Sequence, residues 1–257
     1  MDERAGSFLR LLKIMDELRE QCPWDKKQTI DSIRHLTIEE TFELSDAILK
    51  KDLNEVKKEL GDILLHIVFY SRIASETGDF NIKDVMDSLC EKLIFRHPHI
   101  YGDVKAETPE QVSQNWEQLK QKEKGGNKSV LAGVPNSMPA LLKAYRIQEK
   151  ARAVGFDWEE PEQVYGKVKE ELDEFEAEIK NKNRANAEKE FGDILFSLIN
   201  YARFLNINPE DALEQTNQKF IKRFAYMENK VKEQGKQIAD CKLAELDGYW
   251  NEAKNLK

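Results

Sequence analysis

The strongest constraint on this chain is that it repeats itself. Laid on itself at an offset of 131 residues, Glu39, Glu40 and Glu43 fall on Glu170, Glu171 and Glu174. Glu59, Gly61 and Asp62 fall on Glu190, Gly192 and Asp193, and no gap is needed. Ile63 and Leu64 match Ile194 and Leu195; Tyr70 and Arg72 match Tyr201 and Arg203. With small gaps the match continues, Lys92, Ile94 and Arg96 pairing with Lys219, Ile221 and Arg223, and Trp116 and Lys120 with Trp250 and Lys254. Self-similarity at a fixed period is the mark of a duplicated structural unit. Each half carries EExxE, then ExxD, then a basic helix, then WxxxK.

The period within each unit is helical. Val56, Leu60, Ile63, Leu64, Ile67 and Val68 follow 3.6-residue spacing, not the alternation of a strand. Gly (12) and Pro (7) are scarce among 257 residues, so elements are long and turns few. Gly125, Gly126, Pro135 and Pro139 cluster between the halves, and helical spacing resumes near Ala140. The expectation is an all-α chain of two tandem helical bundle modules, 1–130 and 131–257.

That layout places carboxylates opposite one another. The EExxE helix should end near Lys50 and Lys51, and Asp52 followed by Glu55 can cap the next helix. Helices joined by so short a turn run antiparallel. Glu43 and Glu59 then lie at about the same height, roughly 10 Å from the turn at 1.5 Å per residue. Glu40 and Glu43 share one helix face, and Glu59 and Asp62 share the next. Glu171, Glu174, Glu190 and Asp193 repeat the arrangement. Four converging carboxylates repel one another, and hard divalent cations relieve the repulsion. All-oxygen ligands suit Mg²⁺ or Mn²⁺. A single ExxE on a Glu-rich helix is ordinarily a solvated face; two facing pairs, duplicated, point to metal.

Other classes are excluded on the same residues. The net charge of −8 opposes a general nucleic-acid or membrane-surface binder. Cys22, Cys90 and Cys241 are odd in number and widely spaced, which reads as a reducing, cytoplasmic setting without a disulfide framework. The amphipathic N-terminal segment lacks the apolar run of a signal peptide, and the apolar run around Ile63–Tyr70 is too short to span a bilayer. Di-iron bundles require Glu three residues before a His on two helices, and none of His35, His66, His97 or His99 has one. His97-Pro98-His99 reads as a turn. P-loop, GxGxxG, HExxH and nucleophile-elbow patterns are absent.

A basic set accompanies the acidic one. Lys219 and Arg223 share a helix face, and Lys254 follows on the last helix; such groups suit phosphate oxygens or, equally, surface ion pairs. Trp250 can stack on a base or close the core.

These residues resemble the MazG family of nucleoside triphosphate pyrophosphohydrolases. The likeness covers nearly the whole chain and includes CPWDKKQT from Cys22, RHPHIYGD from Arg96, SVLAGVPNSMPALLKAYRIQEKA from Ser129 and VGFDW from Val154. The resemblance implies a Mg²⁺-dependent enzyme that cuts nucleoside triphosphates to the monophosphate and pyrophosphate. It implies a homodimer of helical bundles, with nucleoside triphosphates rather than nucleic acid or membrane as partners. It places metal on Glu171, Glu174, Glu190 and Asp193, with Glu40, Glu43, Glu59 and Asp62 as N-terminal equivalents. Glu170 or one of the quartet carboxylates would handle the attacking water. Lys167, Lys219, Arg223, Trp250 and Lys254 fall where the family contacts nucleotide. The family carries a basic residue one turn before the second acidic pair; here that residue is Asn186, and Lys189 stands nearby as a substitute in a different helical phase. The resemblance also implies that the C-terminal module is the more active, although the N-terminal quartet is intact. Two other readings are a helical interaction protein that binds nucleotide without cutting it, and a narrower pyrimidine-deoxynucleotide enzyme.

Overall fold

The computed structural model describes residues 2–106, 108, 111–112, 115–116, 119–120 and 129–255. Among these residues every regular element is a helix. The chain divides into two compact units, Met1–Val112 and Ser113–Lys257. The sequence placed the module boundary near residue 130, so the two divisions differ by the intervening segment. Gly125 and Gly126 of that segment lie outside the described residues. Val130, at the end of that segment, accepts from the Nζ of the buried Lys150 of the second unit at 3.1 Å.

In the first unit α1 (Glu3–Gln21) leads through a 3₁₀ turn, Asp25–Lys27, into α2 (Ile30–Lys50), α3 (Leu53–Thr77), α4 (Ile82–Arg96) and a short α5 (Pro98–Tyr101). Thr29 and Ser32 cap α2 reciprocally, each side chain serving the other's backbone N–H. Asp52 caps α3 by accepting from the N–H groups of Asn54 and Glu55. Glu55 therefore supplies a backbone donor rather than the returning side chain of a capping box. His97-Pro98-His99 is a junction between two helices, with proline at the first position of α5.

Met15, Ile33, Val68 and Phe69 form the fully buried core of this unit, joined by Phe8, Leu11, Leu12, Leu36 and Leu65. The CPWDKKQT loop is fastened to it. Trp24 lies 6.5 Å from the Phe69 ring. Arg19 donates to the Asp25 carbonyl, to the Gln28 carbonyl at 3.0 Å and to Glu76 at 2.8 Å.

The second unit contains α6 (Ala140–Ala153), α7 (Pro161–Lys180), α8 (Arg184–Phe204), α9 (Pro209–Glu233), a 3₁₀ turn at Ile238–Asp240 and α10 (Leu243–Lys254). Val164, Val168, Ala187, Ile194, Ile199, Met227, Val231 and Ala253 are its buried apolar residues. Gln148 of α6 donates to the Phe196 carbonyl of α8 at 2.8 Å. The exposed VGFDW loop is held by the buried Arg203, whose Nη1 donates to Asp157 Oδ2 at 2.9 Å.

The repeat survives in local geometry. The α2–α3 and α7–α8 hairpins turn through Lys51 and Lys182, both with φ of 58°. These two residues are partners at the 131 offset. A left-handed residue is the standard device for ending a helix and reversing the chain, although glycine usually takes the position. Each hairpin also leaves the same apolar stripe bare within the single chain. Leu60, Leu64 and Ile67 are exposed on α3, and so are their partners Phe191, Leu195 and Leu198 on α8.

Candidate functional site

The antiparallel hairpins bring the expected carboxylates together. Glu40 and Glu43 on α2 and Glu59 on α3 each present an oxygen within 4.8 Å of the others. Glu171 and Glu174 on α7 and Glu190 on α8 do the same. Asp62 and Asp193 stand one turn further along α3 and α8. Both are close enough to act electrostatically on their clusters, Asp62 on Glu40 and Asp193 on Glu190.

The clustered carboxylates repel one another. Glu40 is pushed above the ordinary carboxylate range, by burial first and then by Asp62, Glu43, Glu59 and Glu39. Glu190 is raised in the same sense, by burial and then by Glu174, Asp193, Glu171 and Glu178. One carboxylate in each cluster is fully buried, Glu59 in the first and Glu171 in the second. The Glu59 Oε2 atom is buried without a hydrogen-bond partner. A buried oxygen without a hydrogen-bond partner is costly unless a donor or a cation joins it. That orphaned atom and the all-carboxylate donor set fit a hard divalent cation.

The buried carboxylates hold lysines. Lys167 Nζ lies 2.7 Å from Glu171 and 2.9 Å from Glu170. Lys58 Nζ lies 2.9 Å from Glu59 and 3.5 Å from Glu55. Both ammonium groups are held in their charged form well beyond the usual lysine range, each chiefly by its hydrogen-bonded glutamate. Sequence reasoning named Lys167 as a nucleotide contact and missed Lys58. The available signal was its place beside Glu59 and its match to Lys189 at the repeat offset. Lys189 itself donates to Asn186 at 3.4 Å and makes no ion pair with the cluster among the described residues.

The other basic candidates gather at α9 and α10. The Arg223 guanidinium sits 5.9 Å from the centre of the Trp250 ring, and Phe220 lies 4.9 Å from that ring. Lys254 donates to Asn251 at 2.9 Å. Trp250 is only half-buried, in an aromatic cluster with Phe220, which in turn stacks on Phe224 at 6.0 Å. Among the described residues no ion pair joins Lys219, Arg223 or Lys254 to the carboxylates.

The MazG nucleotide pyrophosphohydrolase domain model matches residues 28–101 and 159–227, one segment over each hairpin. The chain belongs to the MazG family. A relative from Thermotoga maritima, the nucleoside triphosphate pyrophosphohydrolase/pyrophosphatase MazG, is 46% identical over 99% of this chain and 98% of its own. The nucleoside triphosphate pyrophosphohydrolase of Escherichia coli K12 is 40% identical over 95% of this chain and 96% of its own. A Bacillus subtilis protein, YabN, is 45% identical over 97% of this chain, which spans 52% of YabN. The two MazG segments coincide with the duplicated acidic hairpins, so family and internal repeat describe the same residues. No helix among the described residues is long and apolar enough to cross a membrane.

Proposed function

We propose that this protein hydrolyses nucleoside triphosphates to the nucleoside monophosphate and pyrophosphate, with Mg²⁺ held by Glu171, Glu174, Glu190 and Asp193. Glu40, Glu43, Glu59 and Asp62 make the equivalent site in the N-terminal module, and Mn²⁺ suits the same oxygens. The observation that carries this reading is the paired carboxylate cluster, built twice from facing helices and electrostatically strained each time. Membership of the MazG family and relatives named for this reaction support it.

A divalent ion at such a site supplies Lewis-acid polarisation of phosphate oxygens and lowers the pKa of bound water. The chain's own groups do the rest. Glu170 lies beside the cluster, half-exposed and paired to Lys167, where it can orient a water or accept its proton. Lys167, Lys189, Lys219, Arg223 and Lys254 supply cationic donors for the phosphates, the leaving pyrophosphate among them. The half-buried Trp250, with Arg223 over its ring, offers a flat face for a base.

A second copy of the chain covers the bare stripes of the hairpins. Two positional series, 60-64-67 and 191-195-198, stay exposed at matched places in both modules. Burying them against another hairpin removes apolar surface from water, and a homodimer is the simplest way to do so.

The deciding experiment separates nucleotide products by anion exchange after incubation with each canonical NTP and dNTP, in Mg²⁺ and in EDTA. Monophosphate and pyrophosphate that form only with Mg²⁺ are expected. Diphosphate and orthophosphate would mean that the wrong bond is cut. No product from folded protein would favour a nucleotide-binding role.

A further inference from the structure

The two modules neutralise their carboxylates differently. At the repeat offset, Lys167 corresponds to Leu36, a residue packed against the first unit's core. Lys58 corresponds to Lys189, which bonds Asn186 instead of a cluster glutamate. The buried glutamate that holds a lysine is therefore on the second helix of the first hairpin, Glu59, and on the first helix of the second hairpin, Glu171. In each cluster the carboxylate driven upward in pKa is on the opposite helix, Glu40 or Glu190. The same charge problem has been met twice, from non-equivalent positions.

The environments of the two lysines also differ. Glu59 keeps one buried oxygen, Oε2, without a partner, so a cation can join it while Lys58 stays on Oε1. Lys167 Nζ sits 2.7 Å from Glu171 Oε1, closer than the 2.9 Å of Lys58 to Glu59 Oε1. Lys167 lies one helical turn before Glu171 and spans Glu171 and Glu170 together, on the face that carries Glu174.

We propose that Lys167 is a tethered counter-ion that competes with the divalent ion for Glu171, so that loading the C-terminal cluster requires this ammonium to leave. In the N-terminal cluster Lys58 is a bystander that need not move. This rests on the metal-binding reading of the clusters given above. The ammonium neutralises either Glu171 or an incoming phosphate oxygen. Metal loading and anion binding in the C-terminal module are then coupled through one side chain: the metal releases the lysine, and the anion captures it. A linkage of this kind is reciprocal. Leu36 denies the N-terminal module the same device.

The test is Mn²⁺ binding to the full-length protein, read by electron paramagnetic resonance of the free ion. A Glu40→Gln/Glu43→Gln background silences the N-terminal cluster. Lys167→Met should tighten the remaining site about tenfold, the equivalent of losing one charge-assisted hydrogen bond from the competing state. Lys167→Arg keeps a competing cation and should stay near the parent. Lys189→Met removes a charge from the neighbouring helix without touching the cluster, and should change affinity less than about twofold. In the opposite background, Glu171→Gln/Glu174→Gln, Lys58→Met should tighten the N-terminal site much less than Lys167→Met tightens its own. Affinity that is unchanged or weakened by Lys167→Met would overturn the proposal. Equal tightening by Lys189→Met would also overturn it, by showing a general field rather than displacement. If neither background binds Mn²⁺ in folded protein, the metal reading of the clusters fails and takes this inference with it.

Discussion

The two hairpins are copies in sequence and unequal in chemistry. Both turn on a left-handed lysine, both present three glutamate oxygens within 4.8 Å, and both expose the same apolar stripe. Yet the bridging lysine sits on Glu59 of the second helix in the first hairpin, where one oxygen stays orphaned, and on Glu171 of the first helix in the second. Duplication preserves what the backbone needs: hairpin length, helix phase and the turn. It leaves free the charges that tune each site. On the proposed counter-ion role of Lys167, the first module holds a cation statically and the second exchanges a cation for an anion. Turnover requires exchange, so this proposal assigns catalysis to the C-terminal module.

The largest expected effect tests that division directly. Glu174→Ala removes a cluster oxygen and relieves repulsion, so the fold should hold while pyrophosphate release falls at least about 100-fold, beyond the usual loss for an outer-shell partner. Glu43→Ala, its equivalent in the first module, should cost far less. Steady-state rates on a saturating nucleotide, with circular dichroism to confirm folding, decide the matter. Near-normal turnover in Glu174→Ala, with loss in Glu43→Ala, would reverse the assignment.

The next comparison concerns stability. Arg72 and Arg203 are equivalent, but Arg203 is buried against Asp157, whereas Arg72 meets Asp16 at 2.7 Å and Glu76 at 3.0 Å near solvent. Asp157→Ala leaves the buried Arg203 guanidinium with Asn200 alone, and losing a charge-assisted hydrogen-bonded partner of this kind costs about 1.5–3 kcal/mol. Asp16→Ala breaks an exposed pair and should cost about 1 kcal/mol or less. Urea unfolding should show the ordering. Equal losses would mean that the Arg203–Asp157 pair is not what clamps the VGFDW loop.

Much of this arrangement is legible in the sequence. Helical period, hairpin turn and facing glutamates follow from spacing alone, because the height of a residue on a helix is set by its distance from the turn. The end of α2 at Lys50 and the restart at Ala140 stand where the pattern put them. The lysine partners were not legible. Whether Lys167 reaches Glu171 or solvent depends on rotamers and on what fills the opposite face, and a four-carbon side chain reaches either. The Arg203–Asp157 pair was hidden for a related reason. Its members are 46 residues apart, and only the tertiary packing of the VGFDW loop joins them. Leu36 opposite Lys167 was visible in the alignment, but its meaning needed the contact.

A smaller effect appears in pH dependence. Glu40 and Glu190 titrate above the usual glutamate value of 4.5 in the folded protein, so the folded state binds those protons more tightly than the unfolded chain. A raised carboxylate of this kind lowers stability at pH above its folded value, and the penalty is lifted as pH falls through that value toward 4.5. In EDTA, the slope of stability against pH between the ordinary and raised values should therefore be shallower after Glu40→Gln or Glu190→Gln. Saturating Mg²⁺ should reverse the trend, because metal binding favours deprotonated ligands and weakens as they protonate. An unchanged slope in both variants would show that the repulsion is relieved by solvent.

The smallest expected difference lies in the turns. Lys51 and Lys182 hold φ of 58°, a conformation that costs an L-residue about 1–2 kcal/mol and costs glycine almost nothing. Glycine also gains freedom in the unfolded chain, worth roughly 0.5–1 kcal/mol in the other direction. Lys51→Gly and Lys182→Gly should each stabilise the protein by no more than about 1 kcal/mol, and by similar amounts, since the backbone is the same in both hairpins. Thermal melts of the two variants measure this. A gain at one turn and a loss at the other would mean that one lysine side chain does work its partner does not. The functional asymmetry of the modules would then extend from the carboxylates to the turn that sets their register.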